Sequence, residues 1–472
     1  MLYVDDDGST DYTSIQEAIN AASDGDTIFV YNGIYFENVV IDKAIKLTGE
    51  EKNKTIIDGR FKGTTIEIIE NDVTVNGFAI KNSGRKEIEA GVVIYSNRII
   101  IHDNNIINNG RNGISLFSAS NCTITQNILE NNRYDGMYLS DKANFNEISK
   151  NHIINHSRDP FDCHGIFIRY SSNNLILNNT LSHNAGYDFF LIATTSLMLQ
   201  HNTFRNSSGI FFAGGKVENW NTHIINKNKI DNKPVYYYAD VNTHTEVPTD
   251  AGEVILANCS QVIIQDLSIH DGDCAVLLGF SDKNIIRNNN ISNVIAGVWL
   301  TASSNNKVMN NIIGNVGGSI PLAGSSNFNI IKENKISKNW EYGIGLWSGS
   351  SFNTIIENEI TDNNQPGIIL STSHGNKIKR NSFENNAWSA AYLTSASFNH
   401  FKKNNFINHH SNVFFEDSFF NSWSQNYWDN YDGTGPMILS GENSLPWNPD
   451  KTIAWKFYDW RPANEPYENK VK

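Results

Sequence analysis

The sequence predicts an all-β fold, a right-handed parallel β-helix solenoid of about fifteen coils. Three observations predict it. Segments cut after a recurring Gly align at a period of 21–24 residues, as in "ISLFSASNCTITQNILENNRYDG" (114–136), "AVLLGFSDKNIIRNNNISNVIAG" (275–297) and "IGLWSGSSFNTIIENEITDNNQPG" (344–367). Each segment holds three short apolar runs that alternate with period two, the signature of strands, and Asn, Ser, Gly or Asp separate the runs. Those separators tolerate the left-handed backbone of tight corners. Finally, Asn recurs at one place in each segment ("NNIINNG", "QNILENN", "ENEITDNN"), so stacked coils would form amide ladders. Leucine-rich repeats have a similar period but need a Leu-x-x-Leu-x-Leu frame that this chain lacks.

The elements follow in chain order. Both ends of a solenoid expose unpaired strand edges and need covers. Residues 1–26 supply the first cap, an amphipathic helix with a Ser14/Glu17 capping box and an apolar stripe of Ile15, Ala18, Ile19 and Ala22. Residues 27–231 form the first half of the array. The stretch "NKPVYYYADVNTHTEVPTDAG" (232–252) breaks the repeat as an inserted hairpin or long loop. The array resumes over 253–430, and an aromatic-rich tail, 431–472, closes it.

Composition limits the function classes. A net charge of −13 argues against a nucleic-acid partner, because phosphate binding needs a basic surface. No apolar run approaches the roughly 18 residues of a membrane-spanning helix. The opening "MLYVDDDGST" reads as a mature start without a signal peptide. Cys122, Cys163, Cys259 and Cys274 form no CxxC pair and are expected as free, buried thiols. Sequons at Asn53, Asn121, Asn155, Asn178, Asn206, Asn258 and Asn290 suit an extracellular or cell-surface location, although Asn-rich repeats also create them by chance.

The opening "GDTIFVYNGIYFENVVIDKAIKLTGE…TIIDG", the mid-chain "KPVYYYADVN…AGEVILANCSQVIIQDLSI" and the late "NYWDNYDGTGP" resemble the NosD-like, carbohydrate-binding and sugar-hydrolase (CASH) β-helix proteins, over nearly residues 25–465. The resemblance implies a pectin-lyase-like fold and an archaeal surface or bacterial periplasmic setting. It leaves activity open among copper accessory proteins, polysaccharide lyases and epimerases, and surface proteins. Soft copper sites want clustered Cys, Met and His, whereas five Met are scattered and only His409-His410 are adjacent, which argues against copper handling. No cofactor is expected. Turn Asp and Asn residues leave calcium open, though no D-x-D-x-D-G loop occurs.

Aligning coils on the Gly before the first strand places Tyr138, Phe167, Phe190 and Phe211 in one outward slot. The face should continue less regularly through Trp299, Trp347 and Tyr392. Such a stripe suits the apolar faces of a polysaccharide. It would serve equally as an interface for oligomers or as stacking for stability. Beside it, "SRDPFDCHGIFIRY" (157–170) adds about six residues to one turn and brings Asp162, His164 and Arg169 next to Asp135 and Asp188, a candidate acid/base set. On a uronic-acid polymer Arg169 would neutralise the carboxylate while His164, Tyr138 or Tyr187 removes the C5 proton, lyase or epimerase chemistry. On a neutral sugar Asp135, Asp162 and Asp188 offer carboxylate pairs for glycoside hydrolysis. "SRDPFDCHG" resembles in part the Tyr-Gly-x-Asp-Pro-His motif of alginate epimerases through Asp159-Pro160 and His164. Equally, His164 would serve as one member of a polar ladder. The expected function is an extracellular β-helix protein that binds polysaccharide along the aromatic face. The alternatives are a lyase, C5-epimerase or glycoside hydrolase with its site at 135–190, and a structural surface protein with no sugar ligand.

Overall fold

A computed structural model describes residues 1–156, 163–206, 208–445 and 448–468. The chain forms two compact units, Met1–Val235 and Tyr236–Lys472. Each is a parallel β-helix whose coils contribute one short strand to each of three faces.

In the first unit, ten parallel strands from Leu2–Val4 to Ile224–Asn226 stack on one face, and eight from Val39–Ile41 to Ile210–Ala213 on another. In the second, Ile285–Arg287 is followed in parallel register by Lys307–Met309, Ile330–Lys332, Thr354–Ile356, Lys377–Lys379, His400–Lys402 and Ser422–Ser424. The two units hold about 19 turns, more than the roughly fifteen expected.

Inward positions form apolar columns. Ile114, Met137, Ile166, Phe189 and Ile210 follow one another coil by coil, all fully buried. The corners use left-handed residues, though not only the Asn, Ser, Gly and Asp expected. Asp103, Gln126, Lys150, Asn178 and His201 all have φ between 54° and 58°. Each is followed by a buried Asn: Asn104, Asn127, Asn151, Asn179 and Asn202. These five amides run into Asn228 as a ladder. Each backbone N–H donates to the next Asn Oδ1 at 2.9–3.0 Å, and each Nδ2 donates to the same oxygen. A matching ladder in the second unit runs from Asn289 through Asn311, Asn334, Asn358, Asn381 and Asn404 to Asn426.

The helix Ile15–Ala21 buries Ile15, Ala18 and Ile19. Its cap differs in one respect from the capping box. Ser14 Oγ accepts the Glu17 N–H at 3.4 Å, but the carboxylate that closes the helix start belongs to Glu37, which accepts the Ile15 and Gln16 N–H groups, each at 2.9 Å. Of residues 232–252, Lys233 and Pro234 pair antiparallel with Ile230 and Lys229 of the first unit, and those from Tyr236 onward belong to the second, where Val247 and Ala251 join the buried core and Thr245–Glu246 pairs with Val262–Gln265. At the far end of that unit Met437–Leu445 and Asn448–Asp459 form an antiparallel hairpin. Buried Asp459 ends the Asn ladder there, its Oδ2 accepting from Asn426 N and Nδ2 at 2.9 and 3.0 Å. All four cysteines are buried.

Candidate functional site

The outward slot of the first unit is built by register. Tyr138 pairs with Phe167, Phe167 with Phe190, and Phe190 with Phe211. The ring centroids lie 5.2, 4.9 and 6.1 Å apart along that column. Phe117 and Tyr95 extend it, at 5.8 Å from Tyr138 and 5.6 Å from each other. The stripe is less open than its pattern suggests. Rings one coil apart cover each other's faces, so Tyr138, Phe167 and Phe190 are half-buried and Phe211 is only 7% exposed.

One residue before the aligning Gly, a polar ladder climbs the same corner. The Asp135 N–H donates to Asn112 Oδ1 at 3.2 Å, the His164 N–H to Asp135 Oδ1 at 2.8 Å, and the Tyr187 N–H to His164 Nδ1 at 3.1 Å. Since Nδ1 accepts, the imidazole proton sits on Nε2. The ring lies parallel to Tyr187 and against Phe190, and is 2% exposed. Burial pushes its pKa down to about 4, so it is neutral at physiological pH. A side chain at Gly186 would meet His164 Nδ1 at 2.7 Å, which explains a glycine there. Asp188 is fully buried and accepts from Asn184 Nδ2 at 3.1 Å.

A groove of about 420 Å³ opens beside this corner. It collects five of the expected residues, Asp135, Tyr138, His164, Phe167 and Arg169, whereas Asp188, Phe190 and Phe211 do not line it. Asp162 lies outside the described residues. Arg111, Tyr134, Phe117, Glu87 and Asp141 also line the groove and were not anticipated. Arg111 and Tyr134 stand two residues before Gly113 and Gly136, and aligning that position would have found them. The Arg111 guanidinium lies 4.8 Å over the Tyr134 ring, with its Nε buried and without a hydrogen-bond partner. Arg169 is exposed and lies 4.9 Å over Tyr170. Among the described residues neither guanidinium joins an ion pair.

In the second unit the stripe is interrupted. Trp299 and Tyr392 point outward, but the slots between them hold Pro321, Gly345 and Ile369. Trp347 folds back over Gly345, where an added Cβ would meet its ring at 1.9 Å, and packs edge-on against Tyr342. Tyr392 instead stacks on Phe414.

Residues 235–433 match the family described as periplasmic copper-binding protein (NosD), and residues 15–163 and 90–247 match the right handed beta helix region. The chain is a NosD-like right-handed β-helix protein. It is 26% identical over 188 residues to a cell surface glycoprotein of Methanothermus fervidus, covering 39% of this chain and 27% of that one. It is 34% identical over 113 residues to "Probable pectinesterase/pectinesterase inhibitor 6" of Arabidopsis thaliana, covering 20% of each. The chain therefore spans about a quarter or less of these curated relatives. Among solved structures, the pre-mature gene product 12 of bacteriophage phi29 aligns with 92% of this chain and 75% of its own, at 11% identity and a TM-score of 0.42.

The described residues of this NosD-like chain do not assemble a copper site. Among the described residues no three His, Cys, Asp or Glu side chains cluster as metal ligands. Its thiols point at backbone carbonyls, Cys122 at Ser96 and Ser120 and Cys259 at Tyr238 and Ala257, and burial pushes the Cys122 thiol up to about 11. No helix among the described residues is long and apolar enough to cross a membrane.

Proposed function

We propose that this protein binds polysaccharide at the surface or outside the cell, and that the groove of the first unit takes acidic sugar residues. The observation that carries the reading is the pair of guanidiniums, Arg111 and Arg169, that line an aromatic-floored groove without an ion-pair partner among the described residues. Although Glu87, Asp135 and Asp141 line the same groove, neither guanidinium forms an ion pair with them among the described residues. A uronate carboxylate would satisfy them through charge-assisted hydrogen bonds while Tyr138 and Phe167 meet the apolar sugar face. The names of the two curated relatives, a cell surface glycoprotein and a pectinesterase, agree with a surface setting and a polysaccharide ligand.

Binding is favoured over catalysis by the state of the acid/base candidates. His164 is buried and neutral, its Nδ1 accepts a backbone N–H, and its pKa near 4 makes it a weak base. Asp135 holds the His164 backbone N–H. The test is calorimetric titration with oligogalacturonate and oligoalginate, with reducing ends and unsaturated products followed in parallel. Arg111→Ala and Arg169→Ala should each weaken binding about tenfold, the size of one lost charge-assisted bond. Release of new reducing ends or unsaturated uronates by the wild-type protein would overturn the binding-only reading. Affinity unchanged in both Arg variants would overturn the groove.

A further inference from the structure

We infer that the second unit carries its own carbohydrate subsite, selective for uncharged sugar, formed by Trp388, Tyr392, Phe414 and Glu416. The coil pattern repeats the aromatic frame of the first unit's groove with different charges. Tyr392 and Phe414 stand two residues after Ala390 and Asn412, as Tyr138 and Phe167 do after Gly136 and Gly165. Trp388 stands two residues before Ala390, as Tyr134 does before Gly136.

Here two of the three rings, Trp388 and Phe414, are open to solvent. Tyr392 and Phe414 stack within 5° of parallel, with centroids 5.3 Å apart, and Trp388 flanks Tyr392 at 6.2 Å. Trp388 is 60% and Phe414 46% exposed, unlike the mutually covered column of the first unit. Together they border a 260 Å³ hollow whose apolar walls carry a few polar groups. Glu416 accepts the Tyr392 hydroxyl at 3.1 Å, which orients its carboxylate, and exposed His410 also lines the hollow. Ser389, 2% exposed, lines the hollow with a hydroxyl that has no hydrogen-bond partner. An apolar floor with a few converging polar groups is how proteins recognise a sugar ring, whose faces present C–H groups and whose edge presents hydroxyls. Among the described residues no Lys or Arg lines the hollow, and Glu416 repels anions, so the favoured occupant is a neutral pyranose.

The site shares no residue with the first unit's groove, so each stands or falls alone. The test titrates the full chain with cellohexaose, mannohexaose and xylohexaose, with oligogalacturonate as the charged control. At least one neutral oligosaccharide should bind. Trp388→Ala and Phe414→Ala should weaken it about fivefold or more, and both side chains are exposed enough to be removed without unfolding the unit. Phe352→Ala, which removes an exposed ring that lines neither the hollow nor the first unit's groove, should leave it unchanged. The inference fails if none of the neutral probes binds, or if their affinity survives Trp388→Ala and Phe414→Ala. It also fails if those substitutions abolish only self-association measured by sedimentation.

Discussion

At the scale of single residues, His164 shows how a catalytic look arises from a structural need. A histidine beside aspartates in an enlarged turn reads as an acid/base set, yet its ring supplies the acceptor that the Tyr187 N–H requires one coil away. Asn112 and Asp135 do the same job with side-chain oxygens at neighbouring rungs. The role therefore belongs to any short acceptor, and His164→Asn should keep the fold and the groove's ligand affinity. His164→Ala leaves a buried N–H unpaired and strips packing from Tyr187 and Phe190, so it should cost roughly 2–3 kcal/mol in urea denaturation. A loss of ligand affinity in His164→Asn with stability intact would instead make the imidazole a contact residue.

At the scale of elements, the corner ladder dominates. Asn334 donates through Nδ2 to Val308 O and Asn358 Oδ1, and its own oxygen accepts from Asn311 N and Nδ2. Asn334→Ala strands several buried polar groups at once and should destabilise the second unit by roughly 3 kcal/mol or more, whereas replacing an outward strand residue such as Lys335 should cost little. A ladder loss below 1 kcal/mol in the same denaturation series would show that water replaces the amide. These ladders and the inward columns were legible because each coil repeats them at a fixed period. The ends were not. Glu37 at the helix start and Asp459 at the ladder's end reach their partners from tens of residues away, and no local pattern marks them. The groove was half legible. Tyr138 and Phe167 follow from strand alternation, but Arg111 matters because of what stacks beneath it, and the burial of the aromatic column follows from ring-on-ring cover. The second unit's stripe keeps Trp299 and Tyr392 in the outward slot but is interrupted because register sets Pro321, Gly345 and Ile369 between them.

At the scale of the whole molecule, each coil contacts mainly its neighbours, so a unit's stability is set by local terms that need not match the other's. Buried histidines make that difference pH-dependent. In the first unit burial holds His156, His164 and His223 at a pKa of about 4, and in the second it lowers His409. In the unfolded chain these imidazoles titrate near 6.5. The folded value lies below the unfolded one, so as pH falls through 6.5 the unfolded state takes up protons first. Their stabilisation is therefore complete above about 6.5, declines as pH drops, and is spent near 4. Each shift corresponds to roughly 3 kcal/mol at 1.36 kcal/mol per pH unit. Hydrogen exchange, corrected for its intrinsic pH dependence, should lose protection in residues 1–235 between pH 7 and 5 before it does in 236–472. His156→Gln and His223→Gln should flatten that decline even where they lower stability at pH 7. Equal acid sensitivity in the two units, unchanged by either substitution, would mean that carboxylates rather than buried imidazoles govern the acid limb.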